Sequence, residues 1–148
     1  SLSLGELAGQ RMNVALLAHS QEDEHSCFSD NTHIDIAENA RGIKNIFTGS
    51  YVRSDGSTVK GVSLAQLLAV EDNQLSEAMQ SGFSDTQDKA TVLVEAAVKG
   101  EHFDQQIAAD NADGNARVKA VIDALRAQTG KIEGMAGALG VDNLNPES

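Results

Sequence analysis

The feature that most constrains the fold is a regular run of mostly apolar side chains near the C-terminal end of the chain. The run consists of Val118, Ile122, Leu125, Thr129, Ile132, Ala136 and Leu139. These residues are spaced three and four apart, so an α-helix places all of them on one face. A face of this length is buried against other helices, and the pattern therefore predicts a bundle with this helix at its centre.

Four further segments show helical spacing of their apolar residues: 4–18, 36–47, a short stretch from 63 to 70, and 75–97. Gly49 and Gly100 stand just past the second and fourth of these, where glycine commonly ends a helix. Ser63 and Gln66 match a capping box, the pair of residues that typically begins a helix, and they mark the start of the third helical segment. The sequence therefore predicts an all-α, up-and-down bundle of four to five helices in one domain covering residues 1–148.

One stretch between the second and third helices departs from helical spacing. Tyr51–Arg53 and Thr58–Lys60 are rich in residues that favour strands, and they flank Ser54-Asp55-Gly56-Ser57. An Asp-Gly turn between two such triplets predicts a small β-hairpin insertion. Because an isolated two-stranded ribbon is marginally stable, we expect it to pack on the helices.

Charge and composition exclude several classes of function. Acidic side chains number 22 against 11 basic ones, for a net charge of −11, and this field repels phosphate backbones and anionic lipid. The net charge therefore disfavours nucleic-acid binding. There is no apolar run of the roughly 18 residues that a transmembrane span requires. The single cysteine, Cys27, cannot form an internal disulfide. Helical spacing begins almost at the first residue, so we expect a fragment of a longer precursor.

The chemically richest stretch is residues 21–35, between the first and second helices. It holds carboxylates, two histidines, a thiol and several hydroxyls, where a plain helix connection needs only a few residues. One interpretation is a metal site with Glu24, His25, Asp30 and His33 as ligands, since histidine and carboxylate bind zinc or iron. Asp30 and His33 would share a face if that turn is helical.

Two other interpretations of this stretch stay open. Ser26 or Cys27 could act as a nucleophile with His25 or His33 as its base. Alternatively, the carboxylates and hydroxyls are structural: Asp30, Asn31 or Thr32 would cap the second helix, and the rest would bond loop backbone. His102 stands alone, and we expect it in a connection between helices rather than in a ligand set.

Several strings of the sequence resemble the imelysin family, most closely its iron-regulated bacterial branch. They are Gly5–Met12, Gln21–His33, Tyr51–Gly61, Ser63-Leu64 and Phe103–Ile107. The resemblance implies a protein of the bacterial cell envelope, either periplasmic or lipid-anchored to the outer membrane, that is linked to iron uptake. It also implies two similar helical domains, of which this chain resembles the second, with the N-terminal half of the same protein as partner.

The resemblance implies a ligand- or metal-binding domain, with iron, zinc or an iron-bearing ligand bound. The candidate binding residues are Glu24, His25, Ser26, Asp30 and His33. We expect the last four of these to be partly buried at one end of the bundle. Half of a metallopeptidase site and a purely structural half remain alternatives. The family's Gly-x-His-x-x-Glu motif belongs to its first domain. His19 and Glu22 have the same spacing but lack the preceding glycine, so no peptidase role is assigned to them.

Overall fold

The computed structural model describes residues 2–141, and this part of the chain is a helical bundle with one β-hairpin. A π-helical segment, Leu2–Asn13, continues directly into α1. The six α-helices of these residues are α1 (Val14–Ala18), α2 (Thr32–Thr48), α3 (Leu64–Glu71), α4 (Asn73–Val98), α5 (Phe103–Gln106) and α6 (Ala112–Ala138). No helix among them is long and apolar enough to cross a membrane. The predicted all-α bundle with a hairpin insertion is confirmed.

The five predicted helical segments are all helical, and two details differ from the prediction. The first segment is mainly π-helical, because its backbone hydrogen bonds span five residues rather than four over Leu2–Asn13. The one α-helix that was not predicted, α5, has only four residues. A single turn is too short to show apolar periodicity, which is why spacing alone did not predict it.

The core lies between α4, α6, α2 and the π-helical segment. α6 packs on α4, on the π-helical segment and on α5, which agrees with the central place expected for it. The main cluster of buried side chains includes Leu7, Ile36, Leu93 and Leu125. A second cluster, near the end of α2, is built around Phe47, Leu68, Met79 and Phe83. Aliphatic residues therefore form most of the interior, as the low aromatic content requires.

A chain of buried polar side chains links three of these elements inside the core. Thr86 on α4 donates its hydroxyl to Gln128 Oε1 on α6 at 2.9 Å. Gln128 Nε2 in turn donates to the hydroxyl of Ser3, in the π-helical segment, at 2.8 Å. Buried hydrogen bonds of this kind are costly to break, so they hold the three helices in one relative register.

The connection from α2 to α3 carries the hairpin. Gly49 ends α2 with φ +62°, and the predicted pair at the start of α3 is present, with Gln66 N 3.1 Å from Ser63 Oγ. Strands β1 (Ser50–Val52) and β2 (Thr58–Lys60) are antiparallel, with Tyr51 opposite Val59. The expectation that the hairpin packs on the helices is wrong, because residues 51–62 are all exposed. β1 contacts α2, but within residues 2–141 no helix buries the ribbon.

Candidate functional site

The polar stretch between α1 and α2 folds into a compact loop. It contains two single turns of 3-10 helix, Gln21–Asp23 and Cys27–Ser29. Ser26 closes the loop twice: its N–H donates to Thr32 Oγ1 at 3.0 Å, and its hydroxyl donates to the carboxylate of Asp35. Asp30 adopts the left-handed conformation, with φ +51°, which aspartate tolerates better than most residues. The loop is therefore held by its own polar side chains.

A group of acidic and histidine side chains meets where this loop contacts the turn before α5. We call Glu24, Asp30, His33, His102 and Asp104 the polar cluster. Asp30 Oδ2 lies 2.9 Å from His102 Nδ1. The rings of His33 and His102 are perpendicular, with centroids 5.5 Å apart. The cluster thus combines two segments that are about 70 residues apart in the chain.

Many polar atoms of the cluster are buried without a hydrogen-bond partner in the protein. They are both carboxylate oxygens of Glu24, Oδ1 of Asp30, Nδ1 of His33 and Oδ1 of Asp104. Glu24 is only 6% exposed and His33 only 8%. A buried polar group left unpaired costs about 1–3 kcal/mol, and native proteins seldom leave several together. This concentration of unpaired atoms is typical of a site that receives a ligand.

Burial shifts the protonation equilibria of the cluster. It raises the pKa of Glu24 above its ordinary value of 4.5, and the nearby carboxylates of Asp104 and Asp30 act in the same direction. The nearby Thr32 hydroxyl acts against this shift of the pKa, although it lies outside the geometry of a hydrogen bond to either oxygen of Glu24.

The two histidines of the cluster also influence each other. Burial is the main cause that lowers the pKa of His33, electrostatic interaction with His102 adds to it, and Asp30 and Asp35 oppose this shift. Neutral imidazole is the form of histidine that binds metals and accepts hydrogen bonds. His33 is therefore kept in the form that can accept a proton or bind a cation.

The thiol of Cys27 lies beside the cluster and is partly buried. Burial raises its pKa, and the carboxylates of Glu22 and Glu24 add to the effect. The thiolate is the nucleophilic form of cysteine. These surroundings therefore disfavour the interpretation of Cys27 as a nucleophile.

The candidate residues from the sequence divide into two groups in the structure. Glu24, Asp30 and His33 come together in the polar cluster, and Ser26 is partly buried beside it. His25 is exposed, contrary to the expectation of partial burial, and its Nε2 lies 3.4 Å from Arg11 Nη1. The reason is that Glu24 has extended backbone, with φ −78° and ψ 154°, so successive side chains point in opposite directions.

Sequence reasoning missed two members of the cluster, His102 and Asp104. His102 lies in the connection between α4 and α5, as expected, but it also contacts Asp30 and His33, which the sequence did not indicate. Two fully buried neighbours hold this turn in place: Phe103 in the core, and Gln106, whose Nε2 donates to Leu93 O at 3.0 Å. The available signal was the Phe103–Ile107 string, because a buried aromatic next to polar residues fixes their position.

The donor groups of the cluster have the chemistry of metal ligands, but their arrangement does not suit a metal ion. Carboxylate and imidazole are ligands for zinc and iron. Within residues 2–141, however, no three histidine, cysteine, aspartate or glutamate side chains are placed to hold one ion. His19, of the discounted His19/Glu22 pair, instead lies with its Nδ1 2.6 Å from Ile107 O. The donors thus have suitable chemistry but form an incomplete ligand set.

Fold and site together define a helical-bundle protein with an acidic, histidine-containing site at one end. Among known families, the sequence profile of the imelysin family, peptidase family M75, matches residues 1–132. The match covers most of the 148 residues, so this chain belongs to the imelysin family. No curated protein matches the chain.

Proposed function

We propose that this chain is the ligand- or metal-binding helical domain of an imelysin-like protein that serves bacterial iron uptake. We place it in the cell envelope, either periplasmic or lipid-anchored to the outer membrane. The observation that carries the proposal is the set of buried, unpaired carboxylate and imidazole atoms in the polar cluster. A cationic ligand or a bound metal ion would supply the partners that these atoms lack.

The polar cluster is half of a binding site. It lies where the α1–α2 connection meets the turn before α5, so it occupies one end of the bundle, where a second domain can close a cleft over it. Fewer than three ligands converge on any point in residues 2–141, so the remaining ligands come from the N-terminal half of the same protein. Asp30, His33 and His102 are the residues best placed to contact the ligand.

The ligand is iron, zinc or an iron-bearing compound with a positive face. Glu24, Asp30 and Asp104 give the cluster a negative field, which attracts cations and repels anions. Because the ligand set is incomplete, binding of a bare metal ion by this chain alone is weak and sensitive to salt. Binding tightens when the N-terminal half is present.

Calorimetric titration with ferrous, ferric and zinc ions tests this proposal. The unaltered chain shows weak binding that added salt reduces, and binding is lost in Asp30→Asn and in His33→Gln. Asp85→Asn is the matched control, since Asp85 is exposed on α4 and pairs with Lys89. Tight, stoichiometric binding by this chain alone would contradict the half-site.

A growth assay under iron limitation tests the role in iron uptake. Asp30→Asn and His33→Gln in the complete protein impair growth, while thermal unfolding shows that both variants remain folded. Restoring the N-terminal half raises the protection of residues 21–35 in hydrogen exchange, because the cluster becomes covered. Folded variants with unimpaired growth would make the cluster a structural cap. Cleavage of a peptide panel that a chelator abolishes would favour the metallopeptidase alternative instead.

A further inference from the structure

A groove lies where the base of the hairpin meets α3 and α4. Its volume is about 510 Å³, which is within the range of small-molecule sites. One wall is a face of α4 that carries Asn73, Glu77 and Gln80, whose spacings of four and three place them in one row. Ala65 and Ala69 of α3 line a second wall. The residues of the polar cluster do not line this groove, so it is a separate feature of the molecule.

Buried hydrogen bonds hold the walls of the groove together. Ser76 is 1% exposed, and its hydroxyl donates to Ala65 O at 2.9 Å, which ties α4 to α3. Ser63 is 7% exposed; its N–H donates to Gln66 Oε1 at 3.2 Å, and its hydroxyl accepts from Gln66 N at 3.1 Å. Because these bonds lie within the protein, the groove is formed before any ligand enters.

Two side chains of opposite charge, Lys60 and Glu77, line the groove. Lys60 lies opposite Ser50 in the hairpin, and paired residues share a face of the ribbon, so both lie on the side that borders the groove. Glu77 Oε1 accepts a hydrogen bond from Asn73 Nδ2 at 2.9 Å, which orients the carboxylate. Among residues 2–141, neither Lys60 nor Glu77 forms an ion pair, with each other or with another side chain.

Opposite charges that border one groove without pairing complement a ligand that carries both charges. A simple cation is attracted by Glu77 and repelled by Lys60, and a simple anion experiences the reverse, whereas a zwitterion can be attracted by both. The hydroxyl of Ser50 and the amide of Gln80 can exchange hydrogen bonds with a peptide group. Of the described residues that line the groove, none is aromatic, so a ligand that binds by ring stacking finds no partner there.

We propose that this groove binds a small zwitterion, either a free amino acid or a short peptide with free ends. The carboxylate of the ligand pairs with Lys60 and its ammonium group with Glu77. The row from Asn73 to Gln80 spans about 10 Å along α4, which is the length of about three extended residues. Because both charged side chains are exposed, each pair contributes modestly and the affinity is low. The proposal is independent of the function proposed for the polar cluster.

An NMR titration of the whole chain with alanine, dialanine and trialanine tests the groove. We expect shifts of the backbone amides that line the groove and none in the polar cluster. The compound that binds most tightly tells whether the ligand is a free amino acid or a peptide. N-acetylation or C-amidation of that compound removes one ion pair, so each should weaken binding by up to about five-fold.

Two variants assign the charges of the ligand to their partners. Lys60→Gln should abolish the preference for a free carboxylate over the amide, and Glu77→Gln should abolish the preference for a free ammonium group over the acetylated form. The controls Lys119→Gln and Asp123→Asn alter exposed charges on α6 and should keep both preferences. Circular dichroism confirms that each variant is folded. Absence of shifts in the groove with every compound, equal binding of free and blocked compounds, or a preference that survives in its variant would refute the proposal.

Discussion

Replacing Glu24 with glutamine should make the protein more stable at neutral pH. Glu24 is 6% exposed, and neither of its carboxylate oxygens has a hydrogen-bond partner. Glutamine has nearly the same shape, so the substitution removes the charge while the packing stays the same. Glutamate at this position therefore costs stability, as expected for a functional site rather than a structural one.

The magnitude follows from the cost of a buried, unpaired polar group, about 1–3 kcal/mol. Glutamine keeps part of this cost because its amide is also buried, so we expect a gain of about 1 kcal/mol. For a chain of this size, the unfolding midpoint should rise by about 2–4 °C.

The pH dependence has a definite sign. The folded-state pKa of Glu24 lies above its ordinary value of 4.5, so the unfolded state loses its proton at lower pH. The destabilisation of the unaltered protein is therefore absent well below pH 4.5 and grows as pH rises from there to the folded-state pKa. The advantage of Glu24→Gln should follow the same course.

Thermal unfolding of both proteins at pH 3.5 and pH 7 measures this difference. Glu71→Gln serves as the control, because Glu71 is exposed at the end of α3 and should show no gain at either pH. The reasoning is refuted if Glu24→Gln is no more stable at pH 7, or if its gain is equally large at both pH values.

Three further outcomes can be checked by unfolding experiments and NMR. Leu125→Ala, at a fully buried position on α6, should lower the free energy of unfolding by about 2–5 kcal/mol. The control Leu67→Ala, at an exposed position on α3, should change it little. Equal effects of the two substitutions would contradict the central place of α6. The pKa of His33 in the folded protein should lie below its ordinary value of 6.5, so the unfolded state binds a proton first as the pH falls. The free energy of unfolding should therefore decrease as the pH drops below 6.5, and His33→Gln should remove this part of the pH dependence. Gly49→Ala should cost about 2 kcal/mol, because Gly49 has φ +62° and a Cβ there would lie 2.8 Å from Ser63 Cβ. Gly42→Ala, inside α2 with free space around it, should be neutral or stabilising.

Local signals in the sequence predicted the secondary structure well. The spacing of Val118, Ile122 and Leu125 indicates a helix whichever partners it meets, because 3.6 residues per turn is a property of the backbone. Gly49 and the Ser63/Gln66 pair mark helix ends through local hydrogen bonds and φ values. The four-residue α5 is too short to show apolar spacing, although His102 N donates to Gln105 Oε1 at its start, a local hydrogen bond of the same kind.

Part of the candidate site was also predictable from the sequence. Glu24, Asp30 and His33 lie within one short stretch, and its unusual density of polar groups was visible without a structure. His102 and Asp104 were not predictable, because they reach the cluster only when the α4–α5 turn packs against the α1–α2 loop. The exposure of His25 depends on the extended backbone at Glu24, which composition does not reveal.

The sequence by itself determined the all-α class, the positions of the main helices, the hairpin turn and the acidic net charge. Each of these depends on neighbouring residues or on a plain sum over the chain. Tertiary structure alone decided that the hairpin lies exposed rather than packed on the helices. It also decided that both carboxylate oxygens of Glu24, and Oδ1 of Asp104, are buried without a hydrogen-bond partner in the protein. The distances between remote segments and the burial of their side chains depend on how the segments pack, and this packing cannot be predicted from local sequence patterns.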